Sequence, residues 1–219
     1  MGWGSSQRAL WCGGSTVLTN QQLAMSQTPR IFIITGTPGS GKTSVATALM
    51  RRFPFGLHIP VDDLREWVIS GIVHPVPVWT EEAGRQFRFA RQAAAQVARI
   101  YAAGGFAVAI DDVISPSEAQ ELFAVPLAGY ALHTVLLRPA LEIALERNAR
   151  RTSKAFDTEV LADPIARLYR AMDVSPYIAA GWIIIDNSTL STEETVDHIL
   201  DAVNRWPKGA ENHADNRPT

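Results

Sequence analysis

The sequence predicts an α/β fold built on a parallel sheet, and three observations carry that prediction. Short apolar runs rich in β-branched residues recur along the chain, separated by stretches with helical spacing. Those runs are continuously apolar rather than alternating, as strands covered by helices on both faces are. The first run is followed at once by a glycine-rich turn and a helical segment, the arrangement on which phosphate-binding loops are built.

Residues 30–35 read as the first strand. Gly36, Thr37, Pro38, Gly39, Ser40, Gly41, Lys42 and Thr43 then satisfy G-x-x-x-x-G-K-[ST] in full, and residues 44–52 continue as a helix. The glycines let successive backbone N–H groups turn inward, and the helix aims its positive end at the same point, so a polyphosphate fits there. Lys42 is placed to reach the β- and γ-phosphates, and the Thr43 hydroxyl to ligate the Mg²⁺ that bridges them. Ser44 belongs with this nucleotide-contacting set.

Residues 57–61 form the second predicted strand, delivering Asp62 and Asp63 at its carboxyl end, with a helical start over residues 64–70. Residues 71–79 hold valines, prolines and a tryptophan, an unusually apolar loop that predicts part of a pocket or lid. Thr80 followed by Glu81 and Glu82 reads as an N-cap with an acidic first turn, and helical spacing runs to Ala103, where Gly104 and Gly105 stop it. Phe87, Ala90, Ala94, Val97, Ala98 and Tyr101 make its apolar stripe, with Arg85, Gln92, Gln96 and Arg99 opposite and Arg88 between. Arg91 sits at the edge of that stripe, where a lone guanidinium is costly. Asp62, Asp112 or an anionic substrate group are its candidate partners.

A third strand over residues 106–114 carries Asp111 and Asp112, and Ser115 opens a helix through Phe123. Residues 130–137 are the fourth strand, 141–151 a helix, 182–186 the fifth strand and 192–206 the last helix. Ligands of such sheets gather at the carboxyl ends of the strands. Asp111, after Val108, Ala109 and Ile110, takes the Walker B position and holds Mg²⁺ directly or through water; Asp62 contacts the acceptor. Adjacent strand residues face opposite ways, so Asp63 and Asp112 have helix capping as their plainer role. Arg147, Arg150 and Arg151 precede residues 152–155. A solvated face is the plainer role of such a run, but its position favours an arginine-rich lid over the nucleotide.

With 219 residues, 47% of them hydrophobic, the chain can bury one substantial core, expected over residues 29–206. Residues 1–28 are expected as a flexible extension and 207–219 as a flexible tail. A net charge of −2 with no basic run leaves no nucleic-acid footprint. Cys12, the one cysteine, excludes an internal disulfide, and the five histidines show no paired metal-ligand spacing. No apolar run reaches the roughly 18–20 residues of a membrane span, so a soluble, cytoplasmic protein is expected. A GTPase lacks support without an Asn-Lys-x-Asp motif, and an AAA+ motor would need a C-terminal helical domain for which there is no room.

The phosphate loop, Val61-Asp62-Asp63-Leu64, Ile110-Asp111-Asp112-Val113, Leu137-Arg138-Pro139 with Arg147 and Arg151, and Asp186-Asn187-Ser188-Thr189 together resemble the P-loop small-molecule kinases. This group of AAA-type ATP-binding phosphotransferases includes the chloramphenicol phosphotransferase-like proteins, which the chain resembles most, and more distantly gluconate and shikimate kinases. The resemblance covers about residues 29–204. It implies a P-loop NTPase three-layer α/β/α sandwich with a five-stranded parallel sheet in the order 2-3-1-4-5 and an arginine-bearing lid. It also implies ATP, Mg²⁺ and a small hydroxylated acceptor, a metabolite or an antibiotic. The base of the antibiotic kinases falls on Asp62, the lid arginines on Arg147 and Arg151, and the adenine pocket on Asn187, Ser188 and Thr189. The candidate catalytic set is therefore Lys42, Asp62, Arg147 and Arg151; the acceptor set is Asp62, Asp63, Arg65, Arg91 and Asp112; the metal set is Thr43 and Asp111. The loop over residues 71–79 departs from the antibiotic kinases, so the antibiotic itself does not carry over. A nucleoside or nucleotide kinase, or a regulatory ATPase without an acceptor, are the alternatives.

Overall fold

The computed structural model describes residues 29–75, 78–150 and 162–205. Among them, β1 (Arg30–Thr35), β2 (Gly56–Pro60), β3 (Ala107–Asp111), β4 (Ala131–Leu137) and β5 (Ile183–Ile185) form one sheet in the order β2-β3-β1-β4-β5. Every pairing is parallel. The central strand shows why the apolar runs are continuous. Ile31 and Ile33 point to one face, against Ala90, Ala94 and Ala98, while Phe32 and Ile34 point to the other, against Val45, Leu49 and Val196. All four are fully buried, each contributing about 1.5–3 kcal/mol relative to exposure.

The helices are α1 (Lys42–Met50), α2 (Val61–Glu66), α3 (Glu81–Ala103), α4 (Pro116–Ala119, running into a π-helical turn Gln120–Ala124), α5 (Leu141–Ala149), α6 (Ala162–Ala171), α7 (Val174–Ala179) and α8 (Thr192–Arg205). With α1 and α8 on one face and α3, α4 and α7 on the other, the three-layer sandwich and its strand order are those implied by the resemblance. Thr80 caps α3 as expected, its hydroxyl accepting from the Ala83 N–H at 3.1 Å, and Gly104 ends it. At 23 residues α3 is about 35 Å long against about 17 Å for the five residues of β3. Its C-terminus lies one tight turn from β3, so the excess overhangs the carboxyl ends of the strands.

Some elements differ from expectation. β2 ends at Pro60 and α2 begins at Val61, so Asp62 and Asp63 lie in the first turn of a helix rather than at a strand end; there their charges complement the helix dipole. Tyr101, expected inside, is 41% exposed and packs edge-on against Phe106 at 5.3 Å. The buried face of α3 instead takes in Gln86, Arg91 and Ala95, because ion pairing and hydrogen bonding make the two polar side chains tolerable there. The helices α6 and α7 were not expected. No described helix is long and apolar enough to cross a membrane.

Candidate active site

The loop between β1 and α1 is shaped by its glycines. Gly39 has φ +83°, and a Cβ there would land on the carbonyl of Ala144 in α5. Gly41, the N-cap of α1, sits in the left-handed region at φ +91°, which turns the start of the helix into the cradle. Lys42 Nζ donates to the carbonyls of Gly36 (2.9 Å) and Thr37 (3.3 Å), and so lies along the loop. Thr37 and Ser40 are buried, whereas Thr43 and Ser44 are exposed at the first turn of α1 and Pro38 is half-buried.

Asp111 ends β3 beside this loop. Its Oδ2 is 2.7 Å from His58 Nε2, and His58 Nδ1 is 3.2 Å from Thr47 Oγ1, which in turn donates to the Thr43 carbonyl at 2.8 Å. Burial pushes the Asp111 carboxyl upward, but the His58 hydrogen bond and the Lys42 charge, with the Thr43 hydroxyl, outweigh it and hold the group below its ordinary value. An ionised carboxylate beside the Thr43 hydroxyl supplies hard oxygens of the kind Mg²⁺ takes when substrate phosphates supply the other ligands. The residues present therefore fit that ion. Among the described residues no group of three or more His, Cys, Asp or Glu forms an ion cage.

Asp112, the next residue, turns to the other side. Arg91 Nε donates to its Oδ2 at 2.6 Å, while the same guanidinium reaches Glu118 at 2.8 Å and the Val113 carbonyl at 2.8 Å. Of the candidate partners for Arg91, Asp112 is thus the one it takes. Burial lowers the pKa of Arg91, but Asp112 and Glu118 more than restore it. Burial raises that of Asp112, with the Asp62 charge adding to it, against the pull of Arg91. At 2.6 Å from a guanidinium the pair is ionised at neutral pH. The segment is stitched to β1: Thr35 Oγ1 donates to the Ile114 carbonyl and accepts from its N–H, and the Asp112 N–H reaches the Ile34 carbonyl.

Asp62 and Asp63 are exposed in α2. Arg65 is buried, donates to the Val73 carbonyl at 2.9 Å and lies 4.6 Å over the Phe87 ring. Together with Gln86, which holds Gly71 and Val73, it ties the described part of the apolar loop to α3. On the far side of the phosphate loop, Asn187 Nδ2 donates to the Ser40 carbonyl at 3.0 Å, and Arg147 of α5 donates to the carbonyls of Asn187 (2.9 Å) and Ser188 (3.3 Å). Arg147 thus braces the segment after β5 rather than projecting as a lid. Thr189 is exposed beside it. Arg151 and residues 152–155 lie outside the described residues, as do Cys12 and both expected tails. The sequence pointed to neither His58 nor Glu118; a histidine within an otherwise apolar strand was the available signal for the first.

The chain matches a family model described as an AAA domain over residues 31–173. No curated protein matches it. Its fold is similar to shikimate kinase from Acinetobacter baumannii in complex with shikimate (18% identity, TM-score 0.58, covering 84% of this chain and 99% of that one). It is likewise similar to the Mycobacterium tuberculosis APS kinase in complex with AMPPNP and APS (16%, 0.57, 81% and 98%) and to a gluconokinase from Sinorhizobium meliloti 1021 (18%, 0.56, 82% and 94%).

Proposed function

This chain belongs to the AAA domain family, and from that premise we propose that it is an ATP- and Mg²⁺-dependent kinase acting on a hydroxyl of a small molecule. The observation that carries the reading is the convergence of three groups at the carboxyl edge of the sheet. Lys42 lies along the phosphate loop, Asp111 lies beside Thr43 at the head of α1, and Asp62 sits in the first turn of α2 after the neighbouring strand. The shikimate and APS kinases that share the fold are consistent with it.

In this reading the backbone of residues 36–43 and Lys42 would hold the β- and γ-phosphates, and Thr43 and Asp111 would hold Mg²⁺, which would supply charge neutralisation for the transferring group. Asn187, Ser188 and Thr189 flank the nucleotide base, with Arg147 fixing them and Arg151 following on the same segment. Asp62, exposed on α2, orients the acceptor hydroxyl and accepts its proton late, which a loose transition state allows. Asp63, Arg65, Arg91 and Asp112 shape the acceptor side. Nothing in this scheme requires nucleic acid or a membrane.

Lys42→Ala is expected to abolish transfer with the fold intact. Asp62→Asn should keep nucleotide binding and lose transfer by about 10²-fold or more. Both are read by ADP release with an acceptor panel, with calorimetric titration of AMPPNP as the binding control. Wild-type transfer by Lys42→Ala would refute the phosphate-loop assignment, and hydrolysis indifferent to every acceptor and to Asp62→Asn would favour the regulatory ATPase.

A further inference from the structure

A cavity of about 810 Å³ opens between the overhanging half of α3 and the start of α4. Trp79, Glu82, Arg85, Arg88, Glu118 and Glu121 line it, and Arg91 closes its inner end. From there the path to the phosphate loop is short: Arg91 holds Asp112, whose N–H bonds the Ile34 carbonyl two residues before Gly36. Asp62 is near enough for its charge to act on Asp112. Arg91 thus ties the inner wall of the cavity to the strand that leads into the phosphate loop.

Its charge pattern is selective. Each arginine in the wall is neutralised by a carboxylate: Arg85 by Glu82 at 2.7 Å, Arg88 by Glu121 at 3.0 Å, and Arg91 by Asp112 at 2.6 Å and Glu118 at 2.8 Å. With Glu81 also in the lining, carboxylates outnumber guanidiniums. An anionic ligand competes with these carboxylates for the guanidiniums and meets like charge beside them, which disfavours it. A neutral polyol or a cation meets no such cost, and hydroxyl groups can donate to the carboxylates and accept from the guanidiniums. Trp79 adds a flat apolar wall: it stacks on Phe87 at 5.5 Å with 20° between the rings and remains 57% exposed. Such a face packs against the C–H surface of a ring while its rim groups hold the polar edge.

We propose that the distal part of the acceptor occupies this cavity, and that the acceptor is a neutral or cationic hydroxylated compound rather than one bearing a carboxylate, sulfate or phosphate. This rests on the kinase reading above. The test uses the full chain with ATP and Mg²⁺ and acceptor pairs matched except in charge: sorbitol and gluconate, methyl shikimate and shikimate, and glucosamine and glucuronate. Phosphorylated product and ADP are both measured. The neutral or cationic member of each set should exceed the anionic one in kcat/KM by about tenfold or more. In a Glu82→Gln, Glu121→Gln variant, which frees Arg85 and Arg88, that ratio should swing at least about tenfold toward the anion. The kcat/KM of the anionic members should itself rise in this variant, a gain that damage to the fold does not produce. Wild-type preference for the anionic members, or an unchanged ratio in a variant that still transfers, overturns the assignment while leaving the kinase reading in place. Nucleotide binding without transfer to any acceptor removes the kinase reading and this assignment with it.

Discussion

At His58 a single imidazole joins three elements. It stands on β2, pairs with the Thr47 hydroxyl of α1 through Nδ1 and meets Asp111 of β3 through Nε2. A carboxylate without such a partner is free to rotate, and outer-sphere partners of metal ligands are commonly worth 10- to 100-fold in affinity. His58→Ala should therefore raise the Mg²⁺ concentration needed for half-maximal activity by about tenfold, with nucleotide binding in EDTA unchanged. His58→Gln, whose amide still donates, should recover part of the loss. Direct titration of Mn²⁺ in the presence of AMPPNP, followed by electron paramagnetic resonance, reads the same affinity apart from turnover; equal Mn²⁺ affinity in all three proteins would show His58 to be only a packing residue. Asp111 and Thr43 were legible as metal candidates because they follow apolar runs in a recognisable pattern. His58 was not, since its role is defined by a residue 53 positions away.

The element that most shapes the candidate site is α3, because only its N-terminal half overhangs the sheet and carries Arg85, Arg88 and Arg91 to the cavity. That half is secured by the Thr80 cap and by Phe87 under Arg65 and Trp79. Thr80→Ala leaves the N–H of Ala83 without its acceptor and is expected to cost about 1 kcal/mol in urea unfolding. Faster amide exchange should be confined to the first turn; protection lost evenly along α3 would mean the cap does not act locally. The bounds of α3 were legible because a Thr-Glu-Glu start and a double-glycine stop are local signals. Its buried face was less so. A stripe drawn through apolar residues alone admits Tyr101 and leaves Arg91 at the edge, whereas the folded helix buries Arg91 against Asp112 and Glu118. The pattern of Ile165, Leu168 and Met172, at helical spacing, was available for α6, where Ile165 is buried, with Met172 buried just past its end.

For the molecule as a whole, stability should depend on pH through His133. The ring is partly buried on β4 and packs 5.2 Å from Phe32, and burial, with the Arg30 charge, pushes its pKa down to about 4. In the unfolded chain a histidine titrates near 6.5. Between these values the unfolded state binds the extra proton, so stability falls as pH drops from about 6.5 toward 4 and is unaffected by this group above that window. Urea unfolding at pH 7 and pH 5 should show a smaller pH effect in His133→Leu than in the parent; identical differences would remove His133 as the cause. The phosphate loop, the parallel sheet and the position of acids near the strand ends were determined by sequence alone, because glycine conformation, apolar runs and caps act over a few residues. The strand order came through resemblance rather than local pattern. Only the tertiary structure decided the pairing of Arg91 with Asp112 and Glu118, of His58 with Asp111, and of Asn187 with Ser40 across 147 residues. Such partners are chosen by which strands lie side by side and in what register, and by the need of each buried charge or amide to find a complement there, conditions that local sequence leaves open.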